Sequence, residues 1–187
     1  KKTFMEGFGV KWNDNQIKVF TNGLAACLPY IYGDTWRDSQ NRVLKEWGLK
    51  QHMMYILVNM ARRNGKTFVC SGLVCALLIC VPRIKVAIFA TCLRTSHMFM
   101  EAVTDMMERA YTQGTIRKED FFPLAKNMET VIYQGEDGTK RTVGCFPGSV
   151  RVSIIFFMNE EEEEEERTLL YQTISVRRYS SCPFLPI

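Results

Sequence analysis

The sequence predicts an α/β fold: a mainly parallel sheet with helices on both faces. Three observations lead there. Met53–Val58, Lys85–Ala90 and Val152–Met158 are short apolar runs with β-branched and aromatic members, continuous in the way of strands covered on both sides. Helical patterns separate the first runs, giving the strand–helix–strand–helix order of a layered α/β domain. The chain has 187 residues, 47% hydrophobic and 24% charged, enough apolar material for one sizeable core.

Residues 1–35 carry turn signals at Asn13-Asp14, Asn22-Gly23 and Gly33-Asp34 and are expected to be irregular. Trp36–Lys50 predicts a helix, with Asp34 or Thr35 to cap it and Val43, Leu44 and Trp47 on one face. After the Met53–Val58 strand and the Asn64-Gly65 turn, Phe68–Cys80 is apolar nearly all round, as a helix covering a sheet is, and Pro82 stops it. Lys85–Ala90 follows, then a helix over Thr95–Tyr111 with Phe99, Val103, Met106 and Met107 inward. Thr130–Gln134 and Lys140–Phe146 flank Gly135-Glu136-Asp137-Gly138 as a hairpin. Val152–Met158 ends in Asn159-Glu160. The expected division is therefore an irregular segment over 1–35, a core over 36–160, and an acidic run with a tail over 161–187.

Composition narrows the function classes. No apolar run reaches membrane-spanning length, since Phe68–Val81 is short and interrupted by Ser71 and Gly72, and no signal-peptide core follows the first residues. The chain is thus expected to be neither secreted nor a membrane protein. Seven cysteines contain no C-x-x-C pair, and with two histidines they predict buried reduced thiols instead of a zinc site. Net charge is +4, but seven of the twenty acids lie in Glu160–Glu166; the rest of the chain has 24 basic against 13 acidic residues, a balance of +11. Such a balance is compatible with a polyanionic partner.

Between the first strand and the second helix lies Met60-Ala61-Arg62-Arg63-Asn64-Gly65-Lys66-Thr67. Its second half has the Gly-Lys-Thr of a phosphate-binding loop, in the strand–loop–helix setting that loop requires. Gly65 admits positive φ and close backbone approach; backbone N–H groups of 63–67 and the helix start would cradle phosphate. Lys66 would neutralise the β- and γ-phosphates, and the Thr67 hydroxyl is placed to ligate Mg²⁺. The implied ligands are ATP and Mg²⁺, and the implied fold a P-loop NTPase of RecA/ASCE-like type. Glu160, after the third strand, stands where a water-activating carboxylate would, with Glu161 next to it, and Asn159 where a metal-organising acid would. Upstream, the Gln40 amide can donate and accept at once, as adenine recognition demands.

In this order, the motifs resemble the N-terminal ATPase domain of the large subunit of viral DNA-packaging terminases, of tailed phages and herpes-type viruses. Trp36-Arg37-Asp38-Ser39-Gln40 is similar to the family's adenine-recognising segment. Val58–Thr67 is similar to its deviant Walker A, which lacks the first glycine, as at Met60, and carries an early arginine, matched by Arg62. Lys85–Thr91 with the following helix, the hairpin with Pro147–Arg151, and Ile154–Glu160 as Walker B complete the set, which spans Trp36 to Glu160. The resemblance implies a catalytic or nucleotide-sensing Arg62, a coupling motif at Thr173 or Ser175, double-stranded DNA, portal and small-subunit partners, a homo-oligomeric ring, and a location in the host nucleus or cytoplasm. Arg83, Lys85 and Arg94 are the corresponding candidates for DNA contact. Asn159 replaces the family's Asp, and the chain has no room for its nuclease domain. Two other readings are a helicase-like ATPase and a nucleotide-binding assembly subunit without turnover.

Overall fold

The computed structural model describes residues 6–53, 55–58, 60, 63–90, 92–147, 152–158 and 172–176, the last two stretches as backbone. The N-terminal part departs from expectation. Asp14–Ala26 forms helix α1, followed by Leu28–Tyr32 (α2), a 3₁₀ turn at Gly33–Thr35 and Trp36–Glu46 (α3). The segment expected to be irregular is largely helical because Asn13 acts as an N-cap. Its side chain accepts from the Gln16 N–H while the Gln16 side chain accepts from the Asn13 N–H, a reciprocal capping box. The same Asn-Asp pair reads as a turn when its i+3 partner is ignored.

The remaining elements are strand β1 (Tyr55–Val58), helix α4 (Lys66–Cys80), β2 (Ile84–Ala90), helix α5 (Leu93–Thr112), and strands β3 (Phe121–Lys126), β4 (Thr130–Gly135), β5 (Lys140–Pro147), β6 (Val152–Met158) and β7 (Gln172–Val176). Strand β3 was not foreseen: it is a sheet edge with Pro123 inside it and a register shift between Pro123 and Ala125, so its sequence lacks alternation. Strand β7 lies beyond residue 160, so the sheet extends past the expected end of the core.

The seven strands form one sheet in the order β1-β7-β6-β2-β5-β4-β3. The α/β class holds, but the sheet is mixed. Only β1–β7 and β2–β5 pair in parallel; β2–β6, β6–β7, β4–β5 and β3–β4 are antiparallel. An apolar run reveals burial, not direction, and this is why a parallel β6 was expected.

Helices α1, α4 and α5 pack on one face of the sheet, not on two. There they enclose Val86, Ile88, Val131, Tyr133, Val143 and Cys145 with Phe20, Leu73, Leu77, Phe99 and Met106. The physical reason is direction of travel. The chain crosses from β1 through α4 to β2 and through α5 to β3, always stepping the same way, and crossovers of one hand then place both helices on the same side. Residues 69–78 of α4 are all buried, as its uniformly apolar sequence requires.

The β4–β5 turn is pinned by Arg141, which is 5% exposed. Its guanidinium donates to Asp137 at 2.8 Å and 3.2 Å, to the Thr139 carbonyl, and to the Val81 carbonyl at the end of α4. Burial alone would raise the Asp137 carboxyl, but hydrogen bonds from Thr139 and Arg141 together with the Arg141 charge outweigh it and hold the group below its ordinary value. A depressed folded-state value contributes stability that is complete at neutral pH and is lost as pH falls through and below the ordinary 3.8. Asp137→Asn is therefore expected to lower the melting temperature at pH 7 and to flatten its decline on acidification. An unchanged acid limb in a thermal-melt series would refute this.

Candidate functional site

The loop between β1 and α4 begins where Val58, 3% exposed, leaves the sheet. Met60 is half-buried and packs against the hydrophobic core. This gives a reason for a side chain at the position where glycine was expected: it anchors the loop's first residue. Arg63 has φ 67° and Gly65 φ 72°, while Asn64 between them is not in the positive-φ region. Alternating signs of this kind turn successive backbone N–H groups toward a common concavity, the nest geometry that binds anions. Gly65 is the N-cap of α4 in the left-handed conformation, and its carbonyl accepts from the Val69 N–H at 3.0 Å. The free N–H groups of the first helical turn therefore face the same region.

Lys66 reaches back over this loop and its ammonium donates to the Met60 carbonyl. The loop thus closes around a positive charge at the start of a fifteen-residue helix. Thr67, one residue on, is exposed, as are Arg63 and Asn64. Beneath the loop, burial pushes the Cys70 thiol up to about 12 despite the nearby Lys66 charge, so it is an inert packing group. Cys27, Cys75 and Cys145 are likewise buried, but Cys80 and Cys92 are exposed, so the expectation of buried thiols holds for four of these six.

Sequence reasoning missed Gln16. Its Nε2 donates to the Asn64 carbonyl at 3.3 Å, so one side chain both caps α1 and holds the loop before α4. The capping-box spacing Asn13-x-x-Gln16 was the available signal. Gln40, by contrast, lies half-buried on α3, and among the described residues no hydrogen bond ties it to the loop. A Cβ on Gly65 would lie 2.6 Å from the Gln16 Nε2. Gly65→Ala is therefore expected to meet two penalties, a left-handed backbone costing about 1–2 kcal/mol and a displaced Gln16. Its measure is a joint loss of stability and of anion binding; retention of both would show that the loop does not need this geometry.

Arg62, Asn159, Glu160 and Glu161 lie outside the described residues. The strand leading to the last three is placed, however. Met158 pairs with Ile84, the first residue of β2, whereas Val152 pairs with Val176, which in turn pairs with Val58. The carboxyl end of β6 therefore lies at the sheet edge opposite the loop. The expectation that the loop and the end of β6 would share an edge rested on a parallel sheet, and the antiparallel β6 removes that basis. The loop's edge holds instead the ends of β2, β5 and β7, with exposed Arg94 on the first turn of α5. Thr173 and Ser175 occupy positions on β7 directly beside β1. Arg83 and Lys85, at the start of β2, are at the far edge.

Among the described residues no group of three or more His, Cys, Asp and Glu gathers into a metal site, and no helix is long and apolar enough to cross a membrane. The Lys66 ammonium, the Thr67 hydroxyl and the N–H groups at the start of α4 are the kinds of group that a triphosphate with its accompanying cation requires. No protein-family model matches the chain, and no curated protein matches it either.

Proposed function

We propose that this chain is a P-loop NTPase that binds ATP with Mg²⁺ at residues 60–67, and that it serves as the ATPase of a viral terminase-like machine moving double-stranded DNA into a procapsid. The observation that carries the reading is the Lys66 ammonium closed over the loop onto the Met60 carbonyl, between a strand end and a helix start. In this assignment the loop N–H groups and Lys66 hold the β- and γ-phosphates. Thr67 would hold the cation, which supplies charge neutralisation of the phosphates when bound. Arg62 is assigned to the transferring phosphoryl group. The portal, the small subunit and a homo-oligomeric ring belong to the same proposal by resemblance.

A second reading, a nucleotide-binding subunit without turnover, is favoured by the position of Met158 at the edge opposite the loop and by Asn159 in place of an acid. One experiment separates them. Fluorescent ATP is titrated into the purified chain with Mg²⁺, and phosphate release is measured with and without duplex DNA, for the parent and for Lys66→Ala. The motor reading expects saturable binding and DNA-stimulated release in the parent, with both weakened in Lys66→Ala. Binding without release selects the second reading, and absence of binding sinks both.

A further inference from the structure

The sheet face away from α1, α4 and α5 has its own chemistry. Register defines its rows. Leu57, Ser175, Ser153, Phe89 and Phe146 lie side by side across five strands. Below them come Ala87, Gly144 and Thr130, then Lys85, Thr142, Ile132 and Ala125, and last Lys140, Gln134 and Phe122. From the first row to the last is about 20 Å, at three two-residue steps.

Two aromatic rings stand together at one end of this face. Phe89 and Phe146, on adjacent strands, stack with centroids 5.4 Å apart and an interplanar angle of 28°. Phe146 is 46% exposed and Phe122, at the far row, 37%. Gly144 makes the ring's position possible: a Cβ there would lie 3.0 Å from the Phe146 ring, so the ring lies down over the backbone of its own strand. The charge is one-sided. Lys85 and Lys140 stand on this face, and none of the seven strands contains an acidic residue.

We propose that this face, open among the described residues, binds single-stranded nucleic acid, with bases stacking on Phe146 and Phe89 and the backbone phosphates running toward Lys85 and Lys140. Single strands are held by aromatic side chains on neighbouring strands of a sheet, combined with a basic path for the phosphates. Exposed rings of this kind stack on unpaired bases, whose faces are hidden inside a duplex. A second copy of this chain would set lysines into an acid-free face without a counter-charge. The site is separate from the phosphate loop and does not depend on the nucleotide reading.

The test uses fluorescein-labelled 20-nucleotide oligo-dT and oligo-U, with a 20-base-pair duplex as control, by anisotropy at low and moderate salt. Expected are binding of the single strands in preference to duplex and a weakening with salt. Phe146→Ala, with unchanged melting temperature, is expected to lose roughly 5- to 100-fold in affinity. Lys85→Gln with Lys140→Gln reduces the salt dependence, and Lys66→Ala leaves single-strand binding intact. The proposal is overturned by no binding at low salt, by duplex preference, by Phe146→Ala binding as the parent does, or by a dimer in light scattering that Leu57→Lys dissolves.

Discussion

Lys66→Ala is expected to weaken ATP binding by about 2–3 kcal/mol, roughly 30- to 150-fold. The ammonium reaches across the loop and is held by the Met60 carbonyl. Its hydrogen bonds to phosphate would be charge-assisted on both sides, which places them at the strong end of the range. The backbone N–H groups and the helix start remain in the variant, so binding falls without vanishing. The effect on folding is small, because the lost partner is a carbonyl near solvent. Calorimetric titration with ATP and Mg²⁺ measures the change; equal affinities for parent and variant would refute the phosphate reading of the loop.

Trp12→Ala has the largest expected effect on stability. Trp12 is 9% exposed and meets Phe68 at 5.0 Å, Phe20 at 5.4 Å and Phe8 at 6.5 Å between ring centroids. Its ring also lies against the backbone of α4, where a Cβ on Gly72 would come within 2.8 Å of it. Removing the indole leaves a cavity that rigid helices cannot fill, at a cost of about 3–5 kcal/mol. The melting temperature should drop by roughly 10–15 °C. Phe68 stands in the first turn of α4, so ATP affinity should also decline, though less than in Lys66→Ala. Thermal melts of the variant check the prediction, and a fall of a degree or two would show that the site collapses freely.

Much of the architecture is legible along the chain. The α4 sequence is apolar on every side and is buried throughout 69–78. The hairpin around Gly135–Gly138 forms where its turn residues lie. Helix α4 begins at Lys66, two residues earlier than its apolar run, because Gly65 supplies the left-handed cap. Helix α1 was hidden by an ambiguity of residue type, since Asn13-Asp14 serves turns and N-caps alike. Gly23, which resembles a helix breaker, lies within α1 and lets Leu73 of α4 approach closely. The candidate site divides in the same way. Met60, Gly65, Lys66 and Thr67 are consecutive or nearly so, and their geometry is local. Gln16 reaches the loop across 48 residues of sequence, and its capping-box spacing marks the start of α1 but not this contact.

The sequence by itself determined the strand–loop–helix unit with Lys66 at its turn, because backbone conformation at Gly65 and helix initiation depend on neighbouring residues. The tertiary structure alone decided which glutamine holds the loop, which way β6 runs, and which face of the sheet the helices cover. Those outcomes depend on strand pairing between distant segments. An apolar run carries the same burial pattern whether its partner runs beside it or against it.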